Sequence, residues 1–321
     1  MILEVKNLRV EFPTRRGTLV AVDDVSFSIA PGEVLGVVGE SGAGKSITGM
    51  AVINLLEPPG RIGGGQVLLQ GRRIDNLSQD AMRKVRGREI GVVFQDPLTS
   101  LNPLYTVGEQ LVETISTHLP LSGSQARERA ILLLREVGIP GAEARFHHYP
   151  HQFSGGMRQR VVIALAIAAE PKLIIADEPT TALDVSIQAQ IIALLKRLAE
   201  TRGTAVMLIT HDMGVIAETS QRVAVMYAGR VVEIGPVRDV IHAPKHPYTI
   251  GLMGSIPKIV PGERRRRLAQ IEGSMPRLNA IPTGCAFNPR CPRRFDRCVA
   301  ERPERMRAGT SEAACWLHAA P

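Results

Sequence analysis

The sequence lacks any long apolar run. Among its 321 residues, no segment approaches the about 18 consecutive apolar residues of a membrane-spanning helix. The first residues do not resemble a secretory signal either, because Glu4 and Lys6 interrupt the apolar stretch that a signal needs. We therefore expect a protein that is made and kept in the cytosol and reaches a membrane only through partners.

Aromatic side chains are scarce, at 4% of the chain. This is too few for the base-stacking platform of a protein that binds single-stranded nucleic acid. The net charge is nevertheless +8 at pH 7, which is compatible with nucleic acid, an anionic membrane surface or a nucleotide substrate. We expect most of this charge to form a solvated, Arg-rich surface, and we do not expect nucleic acid as the main partner.

Cysteine is absent from the first 284 residues, and all four cysteines fall in the last 37. A cytosolic location argues against disulfides. The spacing contains no C-x2-C pair, so a zinc-ribbon pattern fits poorly. Four thiolates can still hold Zn²⁺ or an iron–sulfur cluster, which would staple a segment with few apolar residues, and unligated thiols are the third alternative. The cysteines are Cys285, Cys291, Cys298 and Cys315.

The apolar pattern predicts an α/β fold. Alternating apolar and polar residues within the first 30 are typical of half-buried antiparallel strands. Residues 34–38 and 173–176 are short apolar runs, as in fully buried strands. Residues 97–170 between them have a helical pattern, which predicts a helical subdomain inserted into the α/β core, with Ser124 as the N-cap of one helix. Further helices are predicted from Ser46 to about Leu56 and over roughly residues 185–202.

The composition changes near Gly235. Beyond it Pro, Arg and Cys become more frequent and the periodicity fades. We therefore predict a core domain over residues 1–235 and a loop-rich C-terminal extension over residues 236–321, held by something other than a large core.

A glycine-rich segment follows the buried strand at residues 34–38. Its sequence fits G-x-x-x-x-G-K-[ST] and is followed by a helical pattern, which is the context that a phosphate-binding loop requires. An ordinary glycine-rich turn is the alternative. In a phosphate-binding loop, backbone N–H groups curl around phosphate oxygens, the lysine neutralises the β- and γ-phosphates, and the hydroxyl binds Mg²⁺. The residues are Gly39, Ser41, Gly42, Gly44, Lys45 and Ser46.

Two carboxylates follow the buried strand at residues 173–176. Asp177 is expected at the carboxyl edge of the sheet, beside the phosphate-binding loop, where it would complete the Mg²⁺ shell. Glu178 would polarise the attacking water as general base. An apolar run that ends in two acids is otherwise an ordinary strand-end loop, so the interpretation depends on the phosphate-binding loop.

Residues 153–160, FSGGMRQR, resemble the signature motif of the ABC family, L-S-G-G-Q followed by R-Q-R. Phe153 and Met157 depart from it, while Ser154, Gly155 and Gly156 are kept. Ser154 would cap a helix whose free N–H groups form an anion site. The resemblance implies an ABC-type P-loop NTPase core, a mixed sheet with an antiparallel β subdomain and the inserted helices, and a head-to-tail dimer that encloses two ATP molecules.

Four further positions are similar to landmarks of that family. The resemblance implies that Gln95 contacts Mg²⁺ and senses the membrane subunits, and that His211 contacts the γ-phosphate. It also implies that Asp184, in the segment Ala182-Leu183-Asp184, crosses the dimer interface. Phe12 matches the position of an aromatic residue that stacks on adenine, although core packing is an equal alternative.

Other segments resemble the peptide/nickel importers within the ABC family, namely QDPLTSLNP at residues 95–103, HPYT at 246–249, SIP at 255–257 and GCAFNPRCP at 284–292. This resemblance implies uptake of di- or oligopeptides, glutathione or nickel complexes. The implied partners are a second ATPase subunit, identical or related, two transmembrane permease subunits and an extracytoplasmic solute-binding protein. The resembled proteins carry a [4Fe–4S] cluster at similarly placed cysteines, with Zn²⁺ as the alternative. The implied location is the cytoplasmic face of the bacterial inner membrane.

Two alternatives remain open. A soluble ABC-type ATPase acting on nucleic acid or macromolecular assembly would explain the basic charge, but it predicts two cores or a long coiled coil, and the sequence contains neither. The cysteine segment could instead be a redox sensor. The four arginines at residues 264–267 could contact lipid headgroups or an acidic partner, or be an ordinary solvated linker.

Overall fold

The computed structural model describes residues 1–181, 183–256 and 270–319, so Ala182, Pro257 and the arginine run at 264–267 lie outside the described residues. The strands are β1 Leu3–Thr14, β2 Gly17–Ile29, β3 Val34–Val38, β4 Arg61–Leu69, β5 Arg72–Arg73, β6 Ile90–Val93, β7 Leu173–Asp177, β8 Ala205–Ile209, β9 Arg222–Tyr227, β10 Arg230–Pro236, β11 Met306–Ala308 and β12 Ser311–Ala313. The helices are α1 Lys45–Val52, α2 Gln79–Val85, α3 Pro97–Ser100, α4 Val107–His118, α5 Gly123–Glu136, α6 Ala142–Arg145, α7 Gly155–Ile167, α8 Val185–Arg202, α9 Met213–Thr219, α10 Val237–His242, α11 Pro247–Gly254 and α12 Asp296–Ala300.

The strands of the described residues form two sheets. One is antiparallel, in the order β2-β1-β4-β5. The other has eight strands in the order β11-β12-β10-β9-β3-β8-β7-β6. Neighbours from β9 to β6 are parallel, whereas β9, β10, β12 and β11 pair antiparallel. This is the predicted mixed sheet with a separate antiparallel subdomain.

The parallel strands bring the candidate site together. Every residue of β3, β7 and β8 is buried, as expected for a parallel sheet that is covered on both faces. Because β3, β6, β7 and β8 run in the same direction, the residues that follow them meet at one edge of the sheet. The phosphate-binding loop, Gln95, Glu178 and His211 all lie beyond these strand ends.

The inserted helical segment comprises α3 to α7. Helix α7 begins after Ser154, as predicted. Phe146, Phe153 and Val161 are among the buried apolar residues of the inserted segment that join the main core. None of the described helices combines the length and the hydropathy needed to span a bilayer.

Two helix ends differ from the sequence predictions. Ser122, not Ser124, is the N-cap of α5, because its side chain accepts the Gln125 N–H while the Gln125 side chain accepts from the Ser122 N–H. Helix α1 ends at Val52 rather than near residue 56, and Asn54 has a left-handed backbone with φ of 50° that cannot continue a helix.

The C-terminal extension is packed into the core. Strand β12 pairs with β10 and thus extends the main sheet. The buried carboxylate of Glu233, on β10, accepts the N–H groups of Lys245 and His246, both at 2.8 Å. Tyr248 and Phe287 belong to the main hydrophobic core. The extension therefore shares the large core, contrary to our expectation that something else would hold it, while the boundary at residue 235 stays a prediction.

Candidate active site

The phosphate-binding loop connects β3 to α1. Gly39, Gly42 and Gly44 have φ of 154°, 81° and 98°, values that side chains other than glycine rarely adopt. Space is also restricted, because a β-carbon on Gly39 would lie 2.3 Å from the Met226 carbonyl oxygen. The backbone of this loop therefore requires its glycines, while Ser41 and Gly42 lie exposed at its tip.

Lys45 folds back across this loop. Its ammonium donates to the carbonyl oxygens of Gly39 at 2.9 Å and Glu40 at 3.1 Å, and the residue is only 6% exposed. Burial lowers the pKa of Lys45, while the nearby charges of Glu178 and Asp177 oppose this shift. A phosphate group at the loop would replace the carbonyl partners with stronger, charge-assisted ones.

Ser46 and Asp177 come together although they lie on different elements. The Ser46 hydroxyl donates to Asp177 Oδ1 at 3.0 Å. Burial raises the pKa of Asp177, and the Glu178 charge acts in the same direction, against the Ser46 hydrogen bond. A hydroxyl and a carboxylate are oxygen ligands of the kind that Mg²⁺ prefers, so this pair fits the predicted metal.

Glu178 is the centre of a polar cluster. Its Oε2 accepts from Gln95 Nε2 at 3.1 Å and from the Thr181 hydroxyl at 2.9 Å, and its Oε1 lies 3.2 Å from His211 Nδ1. Burial acts to raise the pKa of Glu178, but the hydrogen bonds from Thr181 and His211, together with the nearby Lys45 charge, lower it. The carboxylate is therefore ionised and oriented at neutral pH, as a general base must be.

Three of the predicted site residues have no contact with the polar cluster around Glu178 among the described residues. Phe12 lies on β1, half-buried, and packs its ring against Gly60. Asp184 is the exposed N-cap residue of α8, without a capping hydrogen bond from its side chain. Ser154 caps α7 by accepting the Met157 N–H at 3.4 Å, and it is solvent-exposed together with Gly155. An exposed helix start with free N–H groups is a suitable anion site.

Comparisons with known proteins identify the family. A family profile described as ABC transporter matches residues 22–181, and one described as Oligopeptide/dipeptide transporter, C-terminal region, matches residues 232–298. The chain is 48% identical over 302 residues to the dipeptide transport ATP-binding protein DppD of Escherichia coli (strain K12), and the match covers 94% of this chain and 92% of that protein. DppD of Bacillus subtilis is 46% identical over 318 residues, with coverages of 98% and 94%. The chain belongs to the ATP-binding subunits of the oligopeptide/dipeptide group of ABC transporters.

Solved structures support the fold of this ABC ATPase. A dimeric ATP-binding cassette in a post-hydrolysis state with ADP and Pi has a TM-score of 0.66 and 32% identity, covering 74% of this chain and 99% of that one. The cassette cbiO1 of Clostridium perfringens has a TM-score of 0.65 and 29% identity, with coverages of 75% and 91%. The predicted P-loop ABC fold and ATPase activity are thereby confirmed.

The four cysteines of this ABC ATPase line one small pocket, with a volume of about 10 Å³, which leaves room for no more than a water molecule. All four are free thiols. Burial raises the pKa of Cys285 to about 11, and the neighbouring cysteines act in the same direction. Among the described residues, no group of three or more His, Cys, Asp or Glu side chains is arranged to hold a metal ion.

Some contacts of the ATPase site are not predicted by the motifs in the sequence. Thr181 donates to Glu178, and its position three residues later was the only available signal. Tyr248 and Arg290, both from the extension, contact Glu40 in the phosphate-binding loop. No local pattern could have indicated these partners, because more than two hundred residues separate them from Glu40.

Proposed function

We propose that this ATPase powers the import of di- or oligopeptides through an ABC transporter. The observation that carries the proposal is the similarity to peptide-import ATP-binding proteins over 94% of the chain, including the C-terminal region. The chain would be a peripheral protein on the cytoplasmic face of the inner membrane. It would work with a second ATPase subunit, two permease subunits and an extracytoplasmic binding protein. Glutathione or a nickel complex is the alternative solute.

We propose the following roles at the ATP site. Lys45 binds the β- and γ-phosphates, because its ammonium already lies within the loop that would surround them. Ser46, Asp177 and Gln95 would hold Mg²⁺, which when bound neutralises charge on the phosphates. Glu178 accepts the proton of the attacking water. His211 orients Glu178 and contacts the γ-phosphate.

We propose that Ser154, Gly155 and Gly156 bind the γ-phosphate of ATP held by the other ATPase subunit. Their helix start is exposed and has no anion partner within its own chain among the described contacts. Asp184 would lie at the same subunit interface, where its exposed position leaves it accessible. Phe12 would stack on adenine.

A groove in the helical subdomain is the proposed permease site. Its volume is about 530 Å³, and it is lined by Asn102, Tyr105 and Gln110 among others. Two large apolar side chains close to these lining residues in the sequence are exposed, with Leu98 at 63% and Leu104 at 80%. The first lining residue, Ser100, lies five positions after Gln95 in the chain. A permease segment bound in the groove would therefore be placed to shift Gln95, which donates to Glu178.

We expect Leu104→Glu to weaken co-purification of the ATPase with permeases from the membrane fraction by about tenfold, because a charge replaces an apolar contact. The matched control is Leu132→Glu, which changes another exposed leucine, on α5 and 52% exposed. Equal recovery of permeases with both variants would argue against this groove. Failure of the unmodified protein to recover any permease would argue for a soluble ATPase instead.

The cysteine pocket is a candidate cluster site. We propose a [4Fe–4S] cluster, with Zn²⁺ as the alternative, because four free thiols face one pocket. The thiol donor set fits, but the present volume does not, so the surrounding loops would have to move outward. Burial raises the pKa of Cys285, Cys291 and Cys315, and a bound cation would favour the thiolate form of these residues.

We expect anaerobically purified protein to contain iron and acid-labile sulfide in equal amounts and to absorb visible light. Cys298→Ser should remove most of the iron and the sulfide. The control substitution Glu304→Gln, at an exposed residue, should leave both amounts unchanged. Zinc without sulfide would support a Zn²⁺ site instead. Protein that contains neither iron nor zinc would contradict the proposed metal site. Comparing ATPase rates with the cluster oxidised and reduced would test a redox-sensing role.

A further inference from the structure

An ion pair connects the extension to the phosphate-binding loop. Arg290 Nη1 donates to Glu40 Oε2 at 2.8 Å, and Arg290 Nη2 donates to Glu40 Oε1 at 3.1 Å. This two-point geometry is the strongest form of an arginine–carboxylate contact. The Arg290 side chain is only 7% exposed and that of Glu40 is 29% exposed, so solvent screens the pair less than a surface ion pair.

The Arg290 side chain is itself held in place. Its Nε donates to the Glu272 carbonyl oxygen at 2.8 Å, and its Nη2 also lies 3.3 Å from the Ile271 carbonyl oxygen. The guanidinium stacks over the Tyr227 ring, 5.8 Å from the ring centroid. Little rotamer freedom remains to be lost when it contacts Glu40, so the contact is pre-organised.

A second residue of the extension reaches the same loop. The Glu40 backbone N–H donates to the Tyr248 hydroxyl at 2.9 Å, and Tyr248 is fully buried. Met275 also approaches, with its Cγ 3.9 Å from the place where a β-carbon on Gly42 would lie. The extension thus contacts the loop through both the side chain and the backbone of Glu40.

The negative charge of Glu40 would oppose the binding of a triphosphate if no cation balanced it. Its backbone carbonyl accepts from Lys45, so the residue lies within the segment that would bind the phosphates. A free carboxylate there would attract the Lys45 ammonium and repel phosphate oxygens. The bidentate contact with Arg290 removes both effects and fixes the loop.

We infer that Arg290 is a positioning residue for ATP: it acts through Glu40 to neutralise and hold the phosphate-binding loop, so that the C-terminal extension forms part of the nucleotide site. The inference rests on the proposed binding of ATP at Lys45. Because Glu40 is next to the phosphates in both the ground state and the transition state, Arg290 should affect KM more than kcat.

The test compares ATPase kinetics of full-length variants with Mg-ATP. Arg290→Ala should raise the KM for ATP about tenfold and change kcat by less than about threefold, the pattern expected when uniform binding is lost. Adding Glu40→Gln to Arg290→Ala should restore KM to within about threefold of the unmodified protein, because the unpaired charge is gone. A merely structural role would not produce this rescue.

Two controls separate the possible failures. Arg297→Ala removes another arginine of the extension that pairs with a glutamate, Glu301, and it should leave KM unchanged. If Arg290→Ala does not fold, Arg290→Lys replaces it and should give a smaller rise in KM. An unchanged KM, or a double variant no better than the single one, would overturn the inference. An unchanged KM in Lys45→Ala would overturn the ATP site itself.

Discussion

Replacing Glu178 by Gln is expected to slow ATP hydrolysis by about a hundredfold to ten-thousandfold, the usual contribution of general-base catalysis. The amide has nearly the same size, and its oxygen can still accept from Thr181. It cannot take a proton from water, however. Since Lys45 and Ser46 are unchanged, ATP should still bind, and an ATP-bound dimer should accumulate.

Single-turnover hydrolysis and size-exclusion chromatography with Mg-ATP would measure both effects. Glu218→Gln is the matched control, because it makes the same change at an exposed glutamate on α9. Turnover of the Glu178 variant at the unmodified rate would remove Glu178 from its proposed role. Slow turnover without an ATP-bound dimer would place the defect in nucleotide binding instead.

Gly155→Asp is expected to abolish cooperative ATP hydrolysis without harming the fold. A β-carbon at Gly155 would meet only Leu183, at 3.8 Å, which is ordinary contact. The negative charge at the start of α7 should even stabilise the helix, by about 0.3–1 kcal/mol. If a triphosphate from the other subunit approaches this helix start, the Asp carboxylate would lie about 4 Å from a like charge, which costs about 4 kcal/mol. The equilibrium constant for closing the dimer would then fall by about a thousandfold.

The Gly155→Asp variant is informative because its expected effects on thermal stability and on ATPase activity have opposite signs. Thermal unfolding should show an unchanged or higher midpoint, while steady-state ATPase activity falls. Gly155→Asn adds nearly the same volume without the charge and should retain most activity. If the Asp and Asn variants have equal activity, the helix start does not face an anion, and the head-to-tail arrangement loses its main support.

The parts of the fold that were predicted correctly depend on local pattern. The run that forms β3 is apolar at four of its five residues, and the helix predicted over roughly residues 185–202 coincides with α8. Helix ends were less accurate where several capping residues lie close together. Ser122 and Ser124 are equally good caps in isolation, and only the partner Gln125 decides between them.

In the candidate site, too, the residues within local motifs were predicted, whereas the contacts between distant segments were not. Motif spacing placed Lys45, Asp177 and Glu178 at the strand ends, because parallel strands leave little choice about where their carboxyl ends lie. The contact between Arg290 and Glu40 could not be predicted, since it depends on how a segment with little periodicity folds back over the core. Such long-range pairing has no signature in the neighbouring sequence.

Strand order in the main sheet also has a consequence for biosynthesis. Strand β10 lies between β9, which directly precedes it, and β12, which the ribosome adds much later. Until β12 emerges, the side of β10 that faces away from β9 has free N–H and C=O groups, which are a template for pairing with another polypeptide. A chaperone that shields this side of β10 during translation would therefore protect the protein from aggregation.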